Sequence, residues 1–230
     1  SMSDYRAKID SVKQPYVSHE TGQWCAFPNF SEIRKYTGVN KAKNFEIFRD
    51  ILNDNHMGSM GHDFMMASGK LQAICYKHEI EKTLRTPDYA GFQLLALNDY
   101  SGQGTALVGL LDVFFEEKGY INADEFRRFC SPTVPLARIP KFVYTNDETF
   151  HADIEVSHFG AAPLQGAKTV YSIKDEYGKV YAHGTVGTQN IPVGNLCPLG
   201  SVDMKLSGIT KPQKLNMEID ETMGKGKLID

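Results

Sequence analysis

Residues 14–24 decide the fold of the first half of the chain, and they read Gln-Pro-Tyr-Val-Ser-His-Glu-Thr-Gly-Gln-Trp. The apolar start, residues 14–18, is typical of a short buried strand, and residues 19–24 are typical of the polar loop that follows one. Outward from this stretch, residues 41–55 and 63–85 have the spacing of helices, and residues 91–97 form a second apolar strand. This order of strand, helices and strand predicts βα units with parallel strands.

The two predicted helices each have an apolar stripe that indicates an inner face. For residues 41–55 this face comprises Phe45, Phe48, Ile51 and Leu52. For residues 63–85 it comprises Phe64, Leu71, Ile74, Cys75 and His78.

The character of the sequence changes at residues 131–135, which contain two prolines. Residues 150–157 alternate between apolar and polar, as a half-buried strand does. Residues 168–174 and 180–186 predict a hairpin, and residues 201–206 and 214–219 predict two more strands. The sequence therefore predicts an α/β domain over residues 1–130 and an all-β sandwich of immunoglobulin type over residues 131–230.

Composition excludes several classes of protein. The net charge of -3 offers no basic surface for a nucleic acid, and no apolar run has the length that a membrane span needs. The expected partner is therefore neither a nucleic acid nor a membrane. The four cysteines are widely spaced, which predicts free and mostly buried thiols.

Several sequence motifs of cofactor and metal sites are incomplete. Gly102 and Gly104 begin a dinucleotide fingerprint, but Leu107 stands where it needs glycine or alanine. The two His-Glu pairs, at 19–20 and 78–79, lack the second histidine of a zinc motif. His56 and His62 flank a loop that is more typical of solvated residues. No cofactor and no metal are expected.

Glu20 is the candidate catalytic residue, since a carboxylate fixed at the end of a strand is placed for chemistry on a sugar. Trp24 offers an apolar plane for one face of a pyranose ring. The alternative is an ordinary glutamate that caps the following turn.

A second polar stretch follows the second strand. Asn98 and Asp99 can bind sugar hydroxyls, and Tyr100 can stack or donate a hydrogen bond. With His19 and Trp24 they form the candidate substrate-binding set. The alternative is a turn whose polar side chains bind the local backbone.

These two stretches, residues 17–24 and 91–107, resemble the end of the catalytic barrel of glycoside hydrolase family 2, the β-galactosidase and β-glucuronidase group, in the form common in Bacteroides-like gut bacteria. Residues 129–160 resemble the immunoglobulin-like domain that follows. The resemblance spans residues 14–220 and is loose after residue 165. It implies that residues 14–18 and 91–97 are the seventh and eighth strands of a (β/α)8 barrel, and that Glu20 is the nucleophile of a retaining β-glycosidase.

Two departures from the family pattern limit this reading. The general acid/base of the family is the glutamate of an Asn-Glu pair, and this chain contains no such pair. The usual tryptophan of the eighth strand is also missing, with residues 97–100 in its place. A whole barrel needs about 250 residues. The chain is therefore expected to be a C-terminal fragment, inactive alone, or else a non-catalytic carbohydrate-binding or scaffold module.

Three further expectations concern the surroundings of the chain. The partner is a carbohydrate substrate. The full-length protein is expected in the bacterial periplasm or secreted, although this chain carries no leader. The incomplete barrel is expected to self-associate, because its strands leave unpaired edges and apolar faces.

Overall fold

The computed structural model of the chain describes residues 1–100, 106–223 and 227–228. The predicted loop residues 101–105, with Gly102 and Gly104, lie outside this part. Helices α1 to α4 span Arg6–Ile9, Lys43–Asp54, Gly61–Leu84 and Ala123–Arg127, and 3-10 helices span Phe30–Lys35 and Gly58–Met60. Strands β1 to β9 span Tyr16–Thr21, Tyr89–Leu94, Thr133–Arg138, Thr149–His158, Leu164–Asp175, Val180–Ile191, Gly194–Lys205, Leu215–Met223 and Lys227–Leu228.

The chain divides into two compact units. The first comprises Ser1–Tyr16, Glu81–Tyr89 and Phe129–Asp230, and the second comprises Val17–Ile80 and Ala90–Arg128. The first contains seven of the nine strands, and the second contains most of the helical residues. In the described part of the chain, every helix falls short of the length and apolar character that crossing a membrane requires.

Strands β1 and β2 form a two-stranded sheet. Tyr16 contacts Tyr89 at the start of the strands, and the backbone N–H of Leu95 donates to Thr21 O at their end, 2.9 Å away. Residue numbers therefore rise in the same direction along both strands, as the βα pattern predicts. No closed barrel is present among the described residues.

The prediction of a buried strand over residues 14–18 is wrong in two respects. The strand starts at Tyr16 and continues to Thr21, so that Glu20 lies within it. Its side chains are mostly exposed, because the strand has one partner and little covers it. Val17 of β1 and Leu97, after β2, are among the exposed apolar residues. Self-association through this surface stays a prediction.

Helices α2 and α3 confirm the two helices predicted from the sequence to within two residues at each end. The predicted inner face of α3 is wrong, because Leu71 and Ile74 are 59% and 63% exposed and His78 is exposed too. On α2, Phe45 is buried as predicted, but Ile51 is exposed. The buried residues of α3 include the apolar Met65, Ala73 and Ile80, and also the polar Gln72.

The all-β half consists of two sheets, and the predicted hairpin and the alternating strand are both confirmed. One sheet has the order β3-β4-β7 and the other β6-β5-β8-β9. Strand β4 pairs antiparallel with β3 and β7, and β5 pairs antiparallel with β6 and β8. One core contains Ile154 of the first sheet and Ile173 of the second, so the sheets pack face to face.

The four cysteines are free thiols, as the sequence predicts. Their predicted burial is wrong, because Cys25 is exposed and the other three are partly exposed. Cys25 follows Trp24 in the loop after β1, where little of the protein covers it.

Glu221 is a carboxyl group enclosed in the second sheet. It lies on β8 opposite Thr169 of β5, and the Thr169 hydroxyl lies 2.8 and 3.0 Å from its two oxygens. Burial raises the pKa of Glu221 from 4.5 to about 7, and nearby Asp220 adds to the shift. Because the folded state binds this proton more tightly than the unfolded chain does, the resulting stability is complete below pH 4.5 and is lost as the pH rises through 7.

We expect Glu221→Gln to leave the free energy of unfolding at pH 5 nearly unchanged and to raise it at pH 8.5 by about 2–3 kcal/mol, since the glutamine never ionises. Urea unfolding followed by circular dichroism at both pH values measures this. Glu176→Gln, at an exposed turn position of the same unit, is the control and should change neither value. An equal shift at both pH values would contradict the assignment.

Candidate functional site

Glu20 has the backbone conformation of a constrained residue. Its φ is +56°, in the left-handed region that residues other than glycine seldom occupy, although it lies within β1. Such a conformation costs about 1 kcal/mol or more and persists where the surrounding structure imposes it, often at functional sites. The side chain of Glu20 is 48% exposed, so its carboxylate is open to a ligand.

Two neighbours orient this carboxylate. Gln23 Nε2 donates to Glu20 Oε2 over 3.0 Å, and His19 Nε2 lies 3.8 Å from Glu20 Oε1. The other ring nitrogen of His19 is 2.9 Å from Gln93 Oε1 of β2. Because an amide oxygen only accepts, His19 Nδ1 carries the proton in this contact. Gln93, which the sequence analysis missed, therefore fixes the orientation of the imidazole.

Trp24 is 37% exposed and packs edge-on against Tyr76 of α3, with ring centroids 6.4 Å apart. Its backbone carbonyl accepts a hydrogen bond from Gln72 Nε2, also on α3, over 2.6 Å. Contacts with α3 therefore fix the loop that carries Trp24, while part of the indole ring stays exposed to solvent. An exposed aromatic plane on a fixed loop suits contact with a sugar ring.

The loop after β1 and residues 107–108 are held together by α3. The buried hydroxyl of Tyr76 lies 3.0 Å from Gly22 O and 2.8 Å from Val108 O. Gln72 Nε2 donates to Leu107 O as well as to the carbonyl of Trp24, over 3.0 Å. These side chains satisfy backbone carbonyls that no sheet ladder reaches.

Two more residues of α3 complete this polar stripe. Ser68 Oγ accepts from the backbone N–H of Phe27, and Glu79 Oε2 accepts from that of Gly22. Ser68, Gln72, Tyr76 and Glu79 follow one another at spacings of four, four and three, which places them on one helix face. That spacing is visible in the sequence, but a stripe of polar residues is ordinarily assigned to solvent.

We expect Tyr76→Phe to lower the free energy of unfolding by about 1–3 kcal/mol, because it leaves the carbonyls of Gly22 and Val108 without their buried donor. Thermal unfolding of both proteins measures the loss. Tyr177→Phe removes the same hydroxyl from an exposed turn and should cost nothing measurable. Equal effects of the two substitutions would show that the bridge is not structural.

The stretch that follows β2 is only partly exposed. Tyr100 has an exposed side chain, and its backbone N–H donates to Ala106 O. Asn98 Nδ2 donates to the carbonyl of Asp99 over 3.0 Å. Asn98 also forms a parallel bridge with Leu111.

Asp99 lies in the interior, with 2% of its surface exposed. Its Oδ2 is 2.6 Å from the ammonium of Lys118, which is itself buried, and its Oδ1 accepts from the backbone N–H of Gly109. Lys118 also donates to Gly109 O, over 2.8 Å. Burial raises the pKa of Asp99, while the contact with Lys118 opposes the rise. This is the geometry of an ion pair that fixes the segment after β2.

The structure therefore brings His19 and Glu20 together, and separately Asn98 and Asp99. Trp24 and residues 107–108 are joined through α3. The predicted roles of the six residues in binding or catalysis stay predictions. The carboxylate of Glu20 contacts a histidine and a glutamine, and neither is a second acid. Among the residues described, no group of three or more His, Cys, Asp and Glu side chains is suited to a metal ion.

The comparison with protein families matches only part of the all-β half. A family model described as a domain of unknown function, DUF8488, matches residues 148–225. No curated protein matches the sequence.

Solved structures bear on the fold of the whole chain. It is similar to a β-D-mannosidase from Dictyoglomus thermophilum, with a TM-score of 0.60 and 15% identity over 99% of this chain and 28% of the mannosidase. An exo-chitosanase from Amycolatopsis orientalis matches with a TM-score of 0.42 and 14% identity over 80% of this chain and 20% of that protein. The chain thus shares its fold with part of a glycosidase and spans less than a third of the mannosidase's length.

Proposed function

We propose that this chain is the C-terminal part of a retaining β-glycosidase of glycoside hydrolase family 2, with Glu20 as its nucleophile. The observation that carries the proposal is the placement of Glu20: an exposed carboxylate, in a constrained backbone conformation, beside a tryptophan-bearing loop that α3 holds in place. The fold likeness to a β-D-mannosidase supports the class of enzyme.

The chemistry follows from the position of that carboxylate. One oxygen of Glu20 attacks the anomeric carbon of a terminal sugar, and the bond from this carbon to the leaving oxygen breaks. The leaving oxygen takes a proton from a general acid that the remainder of the enzyme supplies. Water then gives a proton back to the same group, attacks the anomeric carbon of the glycosyl ester, and releases the Glu20 carboxylate and the sugar with its original anomeric configuration. Gln23 and His19 hold the carboxylate ready for the attack.

The proposed domain division is a barrel remnant over residues 1–130 and an immunoglobulin-like domain over residues 131–230. The exposed strands support the first part. Val17 and Leu97 leave apolar surface uncovered, as strands do when they belong to a sheet with more members. Burying them would favour assembly with the rest of such a barrel, since each Å² of apolar surface removed from water contributes about 25 cal/mol.

The substrate in this proposal is a terminal β-glycoside of the galactoside or glucuronide type. The fold likeness to a β-D-mannosidase adds β-mannosides to the sugars worth testing. His19, Trp24, Asn98, Asp99 and Tyr100 are the proposed binding residues. The buried Asp99 contributes chiefly by fixing Asn98 and Tyr100.

A non-catalytic carbohydrate-binding or scaffold module is the second candidate. The observation that favours it is the absence of a carboxylate from the described contacts of Glu20. Retention needs a second carboxyl group about 5–5.5 Å from the nucleophile. In a module of this kind the same residues hold the sugar, and no bond is broken.

The test uses the longer polypeptide that carries this chain, with 4-nitrophenyl β-glycosides of galactose, glucuronic acid and mannose. Proton nuclear magnetic resonance of the first product gives its anomeric configuration. We expect hydrolysis with retention, and no turnover by the 230-residue chain alone. Inversion would exclude Glu20 as a nucleophile, and sugar binding without hydrolysis by either protein would establish the binding module.

A further inference from the structure

Glu32 is a buried acid that the proposed chemistry does not use. It lies in the 3-10 helix Phe30–Lys35 and is 1% exposed. Its Oε2 has no hydrogen-bond partner among the described residues. Since an ionised carboxylate without a partner is costly to bury, the position favours the protonated acid.

Two other buried carboxylates, Asp99 and Asp112, act on Glu32, and we call the three residues the carboxylate cluster. Each aspartate already has a lysine. Lys118 lies 2.6 Å from Asp99, and Lys35 lies 2.5 Å from Asp112. An ionised Glu32 would therefore be a third negative charge against two committed positive charges.

The two aspartates also hold the backbone of the segment after β2. Asp99 accepts the N–H of Gly109, and Asp112 accepts those of Phe114 and Glu116. A new negative charge beside them would repel both aspartates and compete for their lysines. The hydrogen bonds of these three amides would weaken as a result.

We infer that Glu32 is a proton-binding site that couples pH to the order of residues 98–100 and 106–116, the described parts of the segment that carries Asn98 and Tyr100. With the proton bound, the two lysine–aspartate pairs are balanced, with the exposed Glu116 also held by Lys35, and the segment is held. When the proton leaves, the balance is lost and the segment loosens. This inference does not depend on the proposed glycosidase activity.

The direction of the effect follows from the surroundings. The pKa of Glu32 is raised from 4.5 to about 7, chiefly by burial and then by Asp112 and Asp99, with Lys118 and Lys35 opposing the rise. A folded-state value above the unfolded one means that the stabilisation is complete below pH 4.5 and is lost as the pH rises through 7.

The charged and titratable groups around Glu32 come from its own 3-10 helix and from the chain after β2. Lys35 comes from the same helix, and Asp99, Asp112 and Lys118 come from the chain after β2. The phenols of Tyr36 and Tyr120 also sense Glu32, and both stay neutral in this range because burial raises the pKa of each. From α2 the contact is apolar, through Ala42 and Phe45.

The test is amide hydrogen exchange at pH 6.0 and 8.5, with the known effect of pH on unprotected amides divided out. In the unmodified chain we expect the amides of Gly109, Phe114 and Glu116 to lose protection by about tenfold, the change that linkage gives between these pH values for a pKa that rises from 4.5 to about 7. In Glu32→Gln, which stays neutral, we expect less than about a twofold change.

Glu221→Gln is the matched control, since it neutralises the buried glutamate of the other unit. It should leave the pH response of the three amides intact. A pH response that survives Glu32→Gln, or is absent from the unmodified chain, would overturn the inference. If the variant does not fold, titration of the Glu32 carboxyl carbon in the unmodified chain decides. A midpoint at about pH 7 supports the inference, and one near pH 4.5 refutes it.

Discussion

Replacing Glu20 by glutamine in the longer polypeptide is expected to lower kcat by about 10⁴-fold or more, the scale of losing a covalent nucleophile. The amide keeps the shape of the side chain but cannot form the glycosyl ester. Because Glu20 is about half exposed, the free energy of unfolding should change by no more than about 0.5 kcal/mol. Steady-state kinetics and urea unfolding of the same preparations separate the two effects.

Glu117→Gln supplies the control for this loss, since it makes the same chemical change at an exposed glutamate of the same unit. We expect its kcat to be unchanged. A Glu20→Gln enzyme that keeps more than about a tenth of the activity would remove Glu20 from the mechanism. A parallel loss of stability would instead assign the defect to folding.

The largest effect on stability is expected from Asp99→Asn, which should lower the free energy of unfolding by about 3–5 kcal/mol. The asparagine can still accept the N–H of Gly109, but it leaves the ammonium of Lys118 buried without its counter-charge. Thermal and urea unfolding at pH 7 measure the loss. The loss of stability comes from leaving a buried charge without its partner. It does not require that the intact ion pair itself contribute much to stability.

Asp50→Asn is the comparison for Asp99→Asn, because the pair of Asp50 with Arg49 lies at the surface. Exposed pairs contribute about 0–1 kcal/mol. If Asp99→Asn were as mild as Asp50→Asn, the interior ion pair would not be what fixes the segment after β2.

Secondary structure was predictable from the sequence where apolar residues recur at a regular spacing and where residues such as proline mark the end of the element. The apolar spacing of α2 and α3, with Thr86 and Pro87 after the latter, gave both helices. Strict alternation gave β4, since Ala152, Ile154 and Val156 all face the core. In β4 the pattern marks the buried face, whereas in α2 and α3 the spacing indicated a helix but only partly the face that is buried.

The inward face of α3 was not predictable by counting apolar residues. Gln72 and Tyr76 lie inside because the carbonyls of the two adjoining loops need donors there. Leu71 and Ile74 are left outside as a consequence. The sequence does not reveal which backbone carbonyls lack a partner, because that depends on where the loops run in the folded protein.

Asp99 illustrates the same limit at the candidate site. An aspartate after a strand indicates a polar loop, but the partner that buries it, Lys118, lies nineteen residues further on. Although β1 continues to Thr21 and contains Glu20, a strand leading to Glu20 was predictable from residues 14–18. The left-handed backbone of Glu20 was not, because nothing in residues 14–24 requires it.

Covalent trapping of the nucleophile tests the central claim most directly. The longer polypeptide is incubated with a 2-deoxy-2-fluoro β-glycoside carrying a good leaving group, which slows hydrolysis of the glycosyl ester more than its formation. Proteolysis and mass spectrometry then locate the sugar. We predict one glycosyl group on the peptide that contains Glu20, and none in the Glu20→Gln enzyme. A glycosyl group on another carboxylate, or an active enzyme that forms no adduct and inverts its substrate, would contradict the account.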